Sequence, residues 1–199
     1  MTIRIKSASN FAVLAGSTIS NTGDSNILTN VGVSPGTGIS GFPPGVVSGS
    51  SDSNTSSARA ARSAVLDAYQ KAQELEGATV LSNNIPNETV LTPGVYSISG
   101  SADISGHLIL KGAGQYVFQI KSSLITGSGS IITLTNGADA DDIFWQVGHS
   151  AILGPNSHFY GTILAQNSIT VNNNATINGH LFAKHGSVHL ENVKIYHSV

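Results

Sequence analysis

The chain has 199 residues, which is enough for one domain with a buried core, and its formal net charge is only −2. Charged residues make up 10% of the sequence, against about 25% in a typical soluble domain. This composition argues against nucleic acid or an anionic membrane surface as partners, because both are recognised by concentrated positive charge.

Cysteine is absent, so no disulfide framework is expected. No stretch approaches the roughly 18 apolar residues of a transmembrane helix. The first residues, Met1–Asn10, lack the apolar core of a secretory signal peptide. Apolar residues make up 40% of the chain, and Val, Ile and Leu recur at short intervals between Gly, Ser and Asn. The composition therefore predicts a packed, β-rich fold rather than a disordered chain.

The first short motif along the chain is Gly36-Thr-Gly-Ile-Ser-Gly41, which matches the pattern of dinucleotide-binding loops. That chemistry requires a helix N-terminus directly after the loop, facing the pyrophosphate. Pro43 and Pro44 follow the motif here and prevent a helix from beginning in that register. We therefore interpret these glycines as turn residues of the β fold.

One segment, about residues 55–76, is predicted to be a long helix. The side chains of Asp52–Thr55 offer N-cap oxygens, and Gly77 is placed to end the helix. Apolar residues at steps of three and four form one narrow stripe: Ala61, Val65, Ala68, Ala72 and Leu75. The opposite side carries Arg59, Arg62, Gln70 and Glu74. A helix with one such stripe packs that face against a larger body.

The remainder is predicted to form short strands separated by Gly, Asn and Pro. The C-terminal third repeats at about 18 residues, which is within the range of solenoid repeats. Three columns align: Trp145–Val147 with Ile163–Ala165 and Leu181–Ala183, Ser150–Leu153 with Ser168–Val171 and Ser187–Leu190, and Phe159 with Ile177 and Ile195. An earlier coil fits more loosely through Phe118–Ile120 and Ser123–Ile125. Three short strands per repeat indicate a three-sided parallel β-solenoid.

Strand side chains alternate between the two faces of a sheet, so each column has an inner and an outer set. In the second column the predicted inward residues are Ala151, Leu153, Ile169, Val171, Val188 and Leu190. The residues between them form a grid of mostly small side chains on the outer surface. In the first column, Gln146, Leu164 and Phe182 are predicted to point outward. Because two of these three are large and apolar, we expect the helix to cover that side.

The chain resembles the microbial ice-binding proteins, whose fold is a discontinuous, right-handed β-solenoid with one long helix alongside. The matching segments are Asn10–Ala15, Asn30–Pro35, Thr92–Tyr96, Val117–Ile120, Leu134–Ala138, Phe144–Val147 and Gly161–Ala165. Their order and spacing extend over nearly the whole chain. The resemblance implies a mainly β, three-sided solenoid that forms a single domain over residues 1–199. It also implies that the helix is inserted between N-terminal and C-terminal coils, which stack out of sequence order.

The resemblance further implies a secreted antifreeze protein that adsorbs to ice crystals, gives thermal hysteresis and inhibits ice recrystallisation. Carried over to this chain, the implied ice-binding residues are Ser17, Ser101, Asp103, Ser123, Ile125, Ser150, Ile152, Ser168, Thr170, Ser187 and His189. We expect moderate activity, because Ile125 and Ile152 interrupt the hydroxyl rows and Asp103 and His189 can carry charge. We expect a monomer, since docking of the helix leaves no exposed apolar stripe.

The titratable residues do not predict a catalytic or metal site. His180 and His189 fall on different sides of the solenoid, so we expect the histidines to be solvated surface residues. Asp139, Asp141 and Asp142 form a small acidic cluster, which we interpret as a solvated loop rather than a Ca²⁺ site. No acidic pair converges as a polysaccharide-cleaving enzyme requires. We therefore predict no enzymatic activity, no cofactor and no bound metal.

One alternative function stays open, namely an adhesion module that uses the same solenoid face to bind a protein or a glycan. Hydroxyl groups on such a face can also serve solubility alone. The sequence does not separate these functions, whereas ice-adsorption and glycan-binding assays run side by side would.

Overall fold

The computed structural model describes residues 2–197, so the first residue and the last two residues of the predicted domain 1–199 lie outside it. In chain order the strands are β1 Phe11–Ala15, β2 Thr18–Thr22, β3 Asn26–Ile27, β4 Asn30–Val33, β5 Gly38–Ser40, β6 Val46–Val47, β7 Ser51–Ser53, β8 Thr79–Val80, β9 Thr89–Leu91, β10 Gly94–Ile98, β11 Ala102–Ile104, β12 His107–Lys111, β13 Tyr116–Ile120, β14 Leu124–Thr126, β15 Ile131–Thr135, β16 Ile143–Val147, β17 Ala151–Leu153, β18 His158–Ala165, β19 Ile169–Val171, β20 Thr176–Ala183, β21 Val188–Glu191 and β22 Lys194–Tyr196. The helix α1 spans Ser56–Gln73, and two 3₁₀ helices span Lys6–Asn10 and Ala140–Asp142.

The strands stack in parallel on three sides, which confirms the predicted solenoid. The first side contains β1, β4, β7, β8, β10, β13, β16 and the second halves of β18 and β20. The second side is a seven-stranded sheet in the order β11-β14-β17-β19-β21-β2-β5. The third side runs through β9, β12, β15, the first halves of β18 and β20, then β22, β3 and β6. Each full coil therefore contributes one strand segment to each side.

The strands β18 and β20 pass from the third side to the first at Gly161 and Gly179. Both residues have positive φ angles, +108° and +143°. A side chain at Gly179 would place its Cβ 2.2 Å from the carbonyl oxygen of Gly161. The bend between the two sides therefore requires glycine at this stacked position.

The N-terminal coil packs against the C-terminal coil on all three sides. Val13 pairs with Leu181 and Ile19 pairs with Val188. On the third side Ile195 pairs with Ile27. The chain then adds β4 to β7 beyond this coil, passes through α1, and resumes with β8 and β9 at the opposite end of the stack. This arrangement confirms the predicted out-of-order stacking.

The solenoid interior is filled by side chains that stack from coil to coil. The rings of Phe118 and Trp145 lie 3.9 Å apart between centroids and only 7° from parallel. Tyr96 continues this stack beyond Phe118 at 5.4 Å, and the ring of Phe159 packs against Trp145 from the third side at 5.3 Å, tilted by 48°. The indole nitrogen of Trp145 donates to the carbonyl oxygen of Tyr160 at 3.0 Å, so its buried polar group is satisfied. These contacts hold consecutive coils in a fixed register.

The helix α1 covers the first side, as the outward Leu164 and Phe182 predicted. Both side chains are fully buried in a second apolar cluster, separate from the solenoid interior, together with the helix residues Ala61, Val65 and Ala68. Gln146 is also buried on this side. Short alanines let the helix axis approach the sheet closely, which explains the composition of the stripe.

The helix begins as predicted but ends earlier. The Thr55 hydroxyl caps its N-terminus by accepting from the backbone nitrogen of Ala58. The last helical residue is Gln73, so the predicted end at Glu76 with Gly77 as the cap is wrong. The side chain of Gln119, from β13, donates to the carbonyl oxygens of Ala72 and Leu75 at 2.9 and 2.8 Å. A partner from another element thus satisfies the helix end that Gly77 was expected to cap.

Candidate functional site

The predicted site lies on the second side of the solenoid. We call the outer surface of its seven strands, β11 to β5 in stacking order, the seven-strand face. The predicted inward residues of these strands are all fully buried, from Ala151 through Leu190. Alternation along each strand therefore leaves two rows of outward side chains, one before and one after the first inward residue of each strand.

The first row precedes the first inward residue of each strand and consists of Ser101, Ser123, Ser150, Ser168, Ser187 and Thr18. The second row follows it and consists of Asp103, Ile125, Ile152, Thr170, His189, Ser20 and Ser40. Every member of both rows is at least partly exposed. Neighbours within a row are about 4.8 Å apart and the rows are about 6.7 Å apart, because strand spacing and strand rise set these distances. The result is a two-dimensional grid of short side chains.

Hydrogen bonds fix the hydroxyl groups of the first row. The hydroxyl of Ser168 accepts from the backbone nitrogen of Ser187 at 3.1 Å, and that of Ser150 accepts from Ser168 at 3.3 Å. The hydroxyls of Ser187 and Thr18 lie 2.8 Å apart and hydrogen-bond to each other. Because the Ser150 and Ser168 oxygens accept in these bonds, their own protons stay available for water, whereas one proton of the Thr18–Ser187 pair is used between the two hydroxyls. The row therefore presents oriented donors in a fixed geometry.

The second row is less regular and more apolar at its centre. Ile152 and Ile125 are adjacent and are 43% and 37% exposed, so their methyl groups form part of the surface itself. Thr170 follows Ile152 and adds one methyl and one hydroxyl group. The face thus combines hydroxyl groups with a cluster of methyl groups instead of presenting a uniform hydroxyl array.

The two chargeable residues of the second row occupy different positions. Asp103 is on β11, the terminal strand of the sheet, where Asn84 forms an isolated bridge with it. His189 lies near the middle of the row, between Thr170 and Ser20. Its Nδ1 is 2.9 Å from the Ser20 hydroxyl, which holds the imidazole against the neighbouring coil. Of the two chargeable residues, only His189 therefore lies in the central part of the grid.

The structure places one residue of the predicted site outside the two rows. Ser17 lies at the corner before β2, where its backbone nitrogen donates to the carbonyl oxygen of Gly186. Thr18 and Ser20 occupy the rows instead, because Ile19 is the residue that pairs with Val188. The polar–apolar–polar order of Thr18, Ile19 and Ser20 matches Ser187-Val188-His189 and was the available sequence signal. Ser40, which pairs with Ser20, also belongs to the second row but was not predicted.

The structure also tests the predictions for the glycine motif and for the histidines. Gly36 and Gly41 of the glycine motif flank strand β5, but Gly38 is the first residue of that strand, so the interpretation of the glycines as turn residues is wrong for Gly38. The expectation that all histidines are solvated is wrong for His180, which is 2% exposed. The N-terminal segment covers His180, and the ring nitrogen Nδ1 of His180 is 2.7 Å from the carbonyl oxygen of Phe11.

Within residues 2–197, no helix is long and apolar enough to cross a membrane.

Comparison with protein families finds one match to nearly the whole chain. The model of a family described as Ice-binding-like matches residues 13–196. An ice-binding protein from Nostoc sp. (strain HG1) is 42% identical over 193 residues, which cover 94% of this chain and 71% of that protein. An ice-binding protein from Flammulina populicola is 30% identical over 200 residues, covering 89% of this chain and 81% of its own.

Solved structures give the same picture. The crystal structure of an ice-binding protein from an Antarctic biological consortium superposes with a TM-score of 0.94 at 38% identity, covering 98% of this chain and 90% of that one. The ice-binding protein of the Antarctic ascomycete Antarctomyces psychrotrophicus superposes with a TM-score of 0.92 at 32% identity, covering 98% and 97% of the two chains. The three-sided stack and its flanking helix are thus shared with proteins solved experimentally.

Proposed function

The chain belongs to the ice-binding-like family, and on this basis we propose that it binds the surface of ice crystals through the seven-strand face. The observation that carries the choice of face is the register of its strands. Seven parallel strands hold two outward rows of short side chains in line, from Asp103 at one end to Ser40 at the other. The first side, in contrast, is covered by α1.

The energetics of adsorption favour such a rigid, repeating surface. One hydrogen bond between protein and water is worth only about 1 kcal/mol net, because liquid water competes for the same groups. Affinity for ice must therefore come from many weak contacts made at once by a preorganised surface. The first-row hydroxyls meet this requirement, since hydrogen bonds to the neighbouring coil already fix them. Exposed methyl groups of Ile125, Ile152 and Thr170 order the water beside them.

Adsorption of this kind curves the ice front between bound molecules and stops its growth. We expect the protein to give thermal hysteresis and to inhibit ice recrystallisation, with moderate strength. His189 in the centre of the face holds water in an arrangement unlike that of ice, and Ile125 and Ile152 replace two hydroxyl positions. We further propose that the protein acts outside the cell, as a monomer and without catalytic activity, since adsorption to ice requires no chemical step.

The direct test is ice affinity of the purified protein. A labelled sample is exposed to a slowly growing ice hemisphere, and the protein is expected to enter the ice and to shape crystals in a nanolitre osmometer. A glycan array measured in parallel tests the adhesion alternative. Exclusion of the protein from ice, with or without glycan binding, would overturn the proposed function.

A further inference from the structure

Three residues that the proposed function does not use meet beside the N-terminal segment. One ring nitrogen of His180, one of His197 and a carboxylate oxygen of Asp141 all lie within 4.8 Å of one another. They come from β20, from the residue that follows β22, and from the 3₁₀ helix before β16. They line a cavity of about 330 Å³ on the side of the solenoid that carries the helix, away from the seven-strand face.

His180 is held in a tautomer that can bind a metal ion through Nε2. Its Nδ1 is 2.7 Å from the carbonyl oxygen of Phe11, which can only accept, so Nδ1 carries the proton and Nε2 keeps its lone pair. A backbone carbonyl in this position fixes the tautomer and orientation of the imidazole, as it does for histidines that bind metals. Burial lowers the pKa of His180 to about 4, so the ring is neutral at physiological pH.

His197 and Asp141 complete the cluster. The Nδ1 of His197 is shielded from solvent and has no hydrogen-bond partner of good geometry among residues 2–197, while Oδ1 of Asp141 is 3.3 Å away. The rings of His180 and His197 are 4.8 Å apart between centroids. Burial raises the pKa of Asp141, the charge of His197 lowers it, and the nearby carboxylates Asp139 and Asp142 raise it again. A cation at this point would offset the repulsion between the crowded carboxylates and would bind a His197 nitrogen that lacks a hydrogen bond.

We propose that His180, His197 and Asp141 form a binding site for a divalent transition-metal ion of the zinc type, with water as the fourth ligand. Two imidazoles and one carboxylate are a ligand set that Zn²⁺ accepts in tetrahedral geometry. Bonds of about 2.0–2.2 Å place tetrahedral ligands about 3.4 Å apart, so ligand atoms that are now up to 4.8 Å apart must draw together by up to about 1.4 Å. Asp141 has this freedom, because its side chain is 54% exposed.

The bound ion would join three segments that are distant in sequence. Asp141 precedes β16, His180 lies on the coil that meets the N-terminal coil, and His197 follows the last strand. The ion would thereby hold the end of the last described coil to the body of the solenoid. Arg4 and Asp142 also line this cavity, so one additional charge of each sign is present.

The test is titration of the chelator-treated protein with ZnCl₂ by calorimetry, with Co²⁺ as a spectroscopic probe. We expect one ion per chain and the visible absorption bands of tetrahedral Co²⁺. At 100-fold excess over Kd, Zn²⁺ is expected to raise Tm by about 5–10 °C. His197→Ala and Asp141→Asn are each expected to weaken Zn²⁺ binding at least about tenfold.

Matched controls separate this site from loosely bound metal. Asp24→Asn removes an exposed acid outside the cluster, and His149→Ala removes an exposed histidine; both variants are expected to bind Zn²⁺ like the unmodified protein. Because His197 and Asp141 are partly exposed, their variants are expected to fold, which circular dichroism checks. The proposal would be overturned if the His197→Ala variant bound Zn²⁺ as tightly as the unmodified protein. It would also be overturned if the unmodified protein bound no Zn²⁺ at Zn²⁺ concentrations up to 100 times the protein concentration. Ice affinity is measured on the same samples and is expected to be independent of Zn²⁺.

Discussion

The hydroxyl oxygens of Thr18 and Ser187 lie 2.8 Å apart although 169 positions separate the two residues in the chain. Beside them, the Ser20 hydroxyl is 2.9 Å from Nδ1 of His189. These two contacts cross the junction between the N-terminal and the C-terminal coil. The junction is therefore part of the seven-strand face and not an interruption of it, and the face extends over two further strands, β2 and β5.

The first prediction tests this extension across the junction. Ser20→Tyr places a tall side chain within the second row, whereas Ser17→Tyr places the same side chain at the corner before β2. Ser20→Tyr is expected to remove more than half of the thermal hysteresis, because a raised ring keeps neighbouring groups from contacting ice. Ser17→Tyr is expected to have a smaller effect. Nanolitre osmometry at equal protein concentration measures both, and equal losses would contradict the corrected register.

The second prediction tests the assignment of the face itself. Thr170 is in the second row, whereas Thr176 is a partly exposed residue on the third side. Thr170→Tyr is expected to remove most of the thermal hysteresis and to leave Tm nearly unchanged, since surface substitutions usually change stability by less than about 0.5 kcal/mol. Thr176→Tyr serves as the matched control and is expected to retain activity. A loss of similar size in both variants would mean that ice is bound through another surface.

The third prediction concerns docking of the helix. Phe182 is fully buried between the first side and α1, so Phe182→Ala removes a large side chain from a closed apolar cluster. We expect the free energy of unfolding to fall by about 3–5 kcal/mol, measured by denaturant titration. Ile152→Ala removes an exposed apolar side chain, 43% accessible, and is expected to change stability by less than about 0.5 kcal/mol. A small effect of Phe182→Ala would show that the helix contributes little to the folded state.

The fourth prediction is a pH dependence caused by His180. Its pKa is about 4 in the folded protein and about 6.5 in the unfolded chain, mainly because of burial. Above pH 6.5 the ring is neutral in both states and its contribution is complete. Between pH 6.5 and 4 the unfolded chain binds the proton and the folded protein does not, so stability falls as the pH falls. The loss attributable to His180 is about 3 kcal/mol over this window.

Denaturant titrations at pH 7 and pH 4, in the presence of a chelator, measure this loss. His180→Asn keeps a donor for the Phe11 carbonyl oxygen but does not titrate, so it is expected to lose less stability on acidification. His149→Asn, at an exposed position, controls for a general effect of removing a histidine. His197 and Asp141 face the ring and are present in all three proteins. An unchanged pH dependence in His180→Asn would contradict the assignment.

Much of the fold could be predicted from local patterns. The 18-residue period identified the columns that pair as Trp145 with Ile163 and Leu181, because coils of equal length bring equivalent residues side by side. Alternation within each strand correctly separated buried residues such as Val171 from outward residues such as Thr170. The apolar stripe identified both the helix and the side that it covers. The predicted end of the helix was wrong, because the residue that caps the actual end, Gln119, comes from another element.

The sequence by itself thus determined the coil period, the buried set, the docked helix and the Ser150–Ser168–Ser187 part of the face, because each of these depends on residues a few positions or one coil apart. The tertiary structure alone decided how the N-terminal coil meets the C-terminal coil. That contact is not covalent and its register follows from packing, so Thr18 rather than Ser17 joins Ser187. The same stacking buries His180 under Phe11 and places it close to Asp141 and His197. Local sequence patterns could not predict this contact, because the three segments are far apart in the chain.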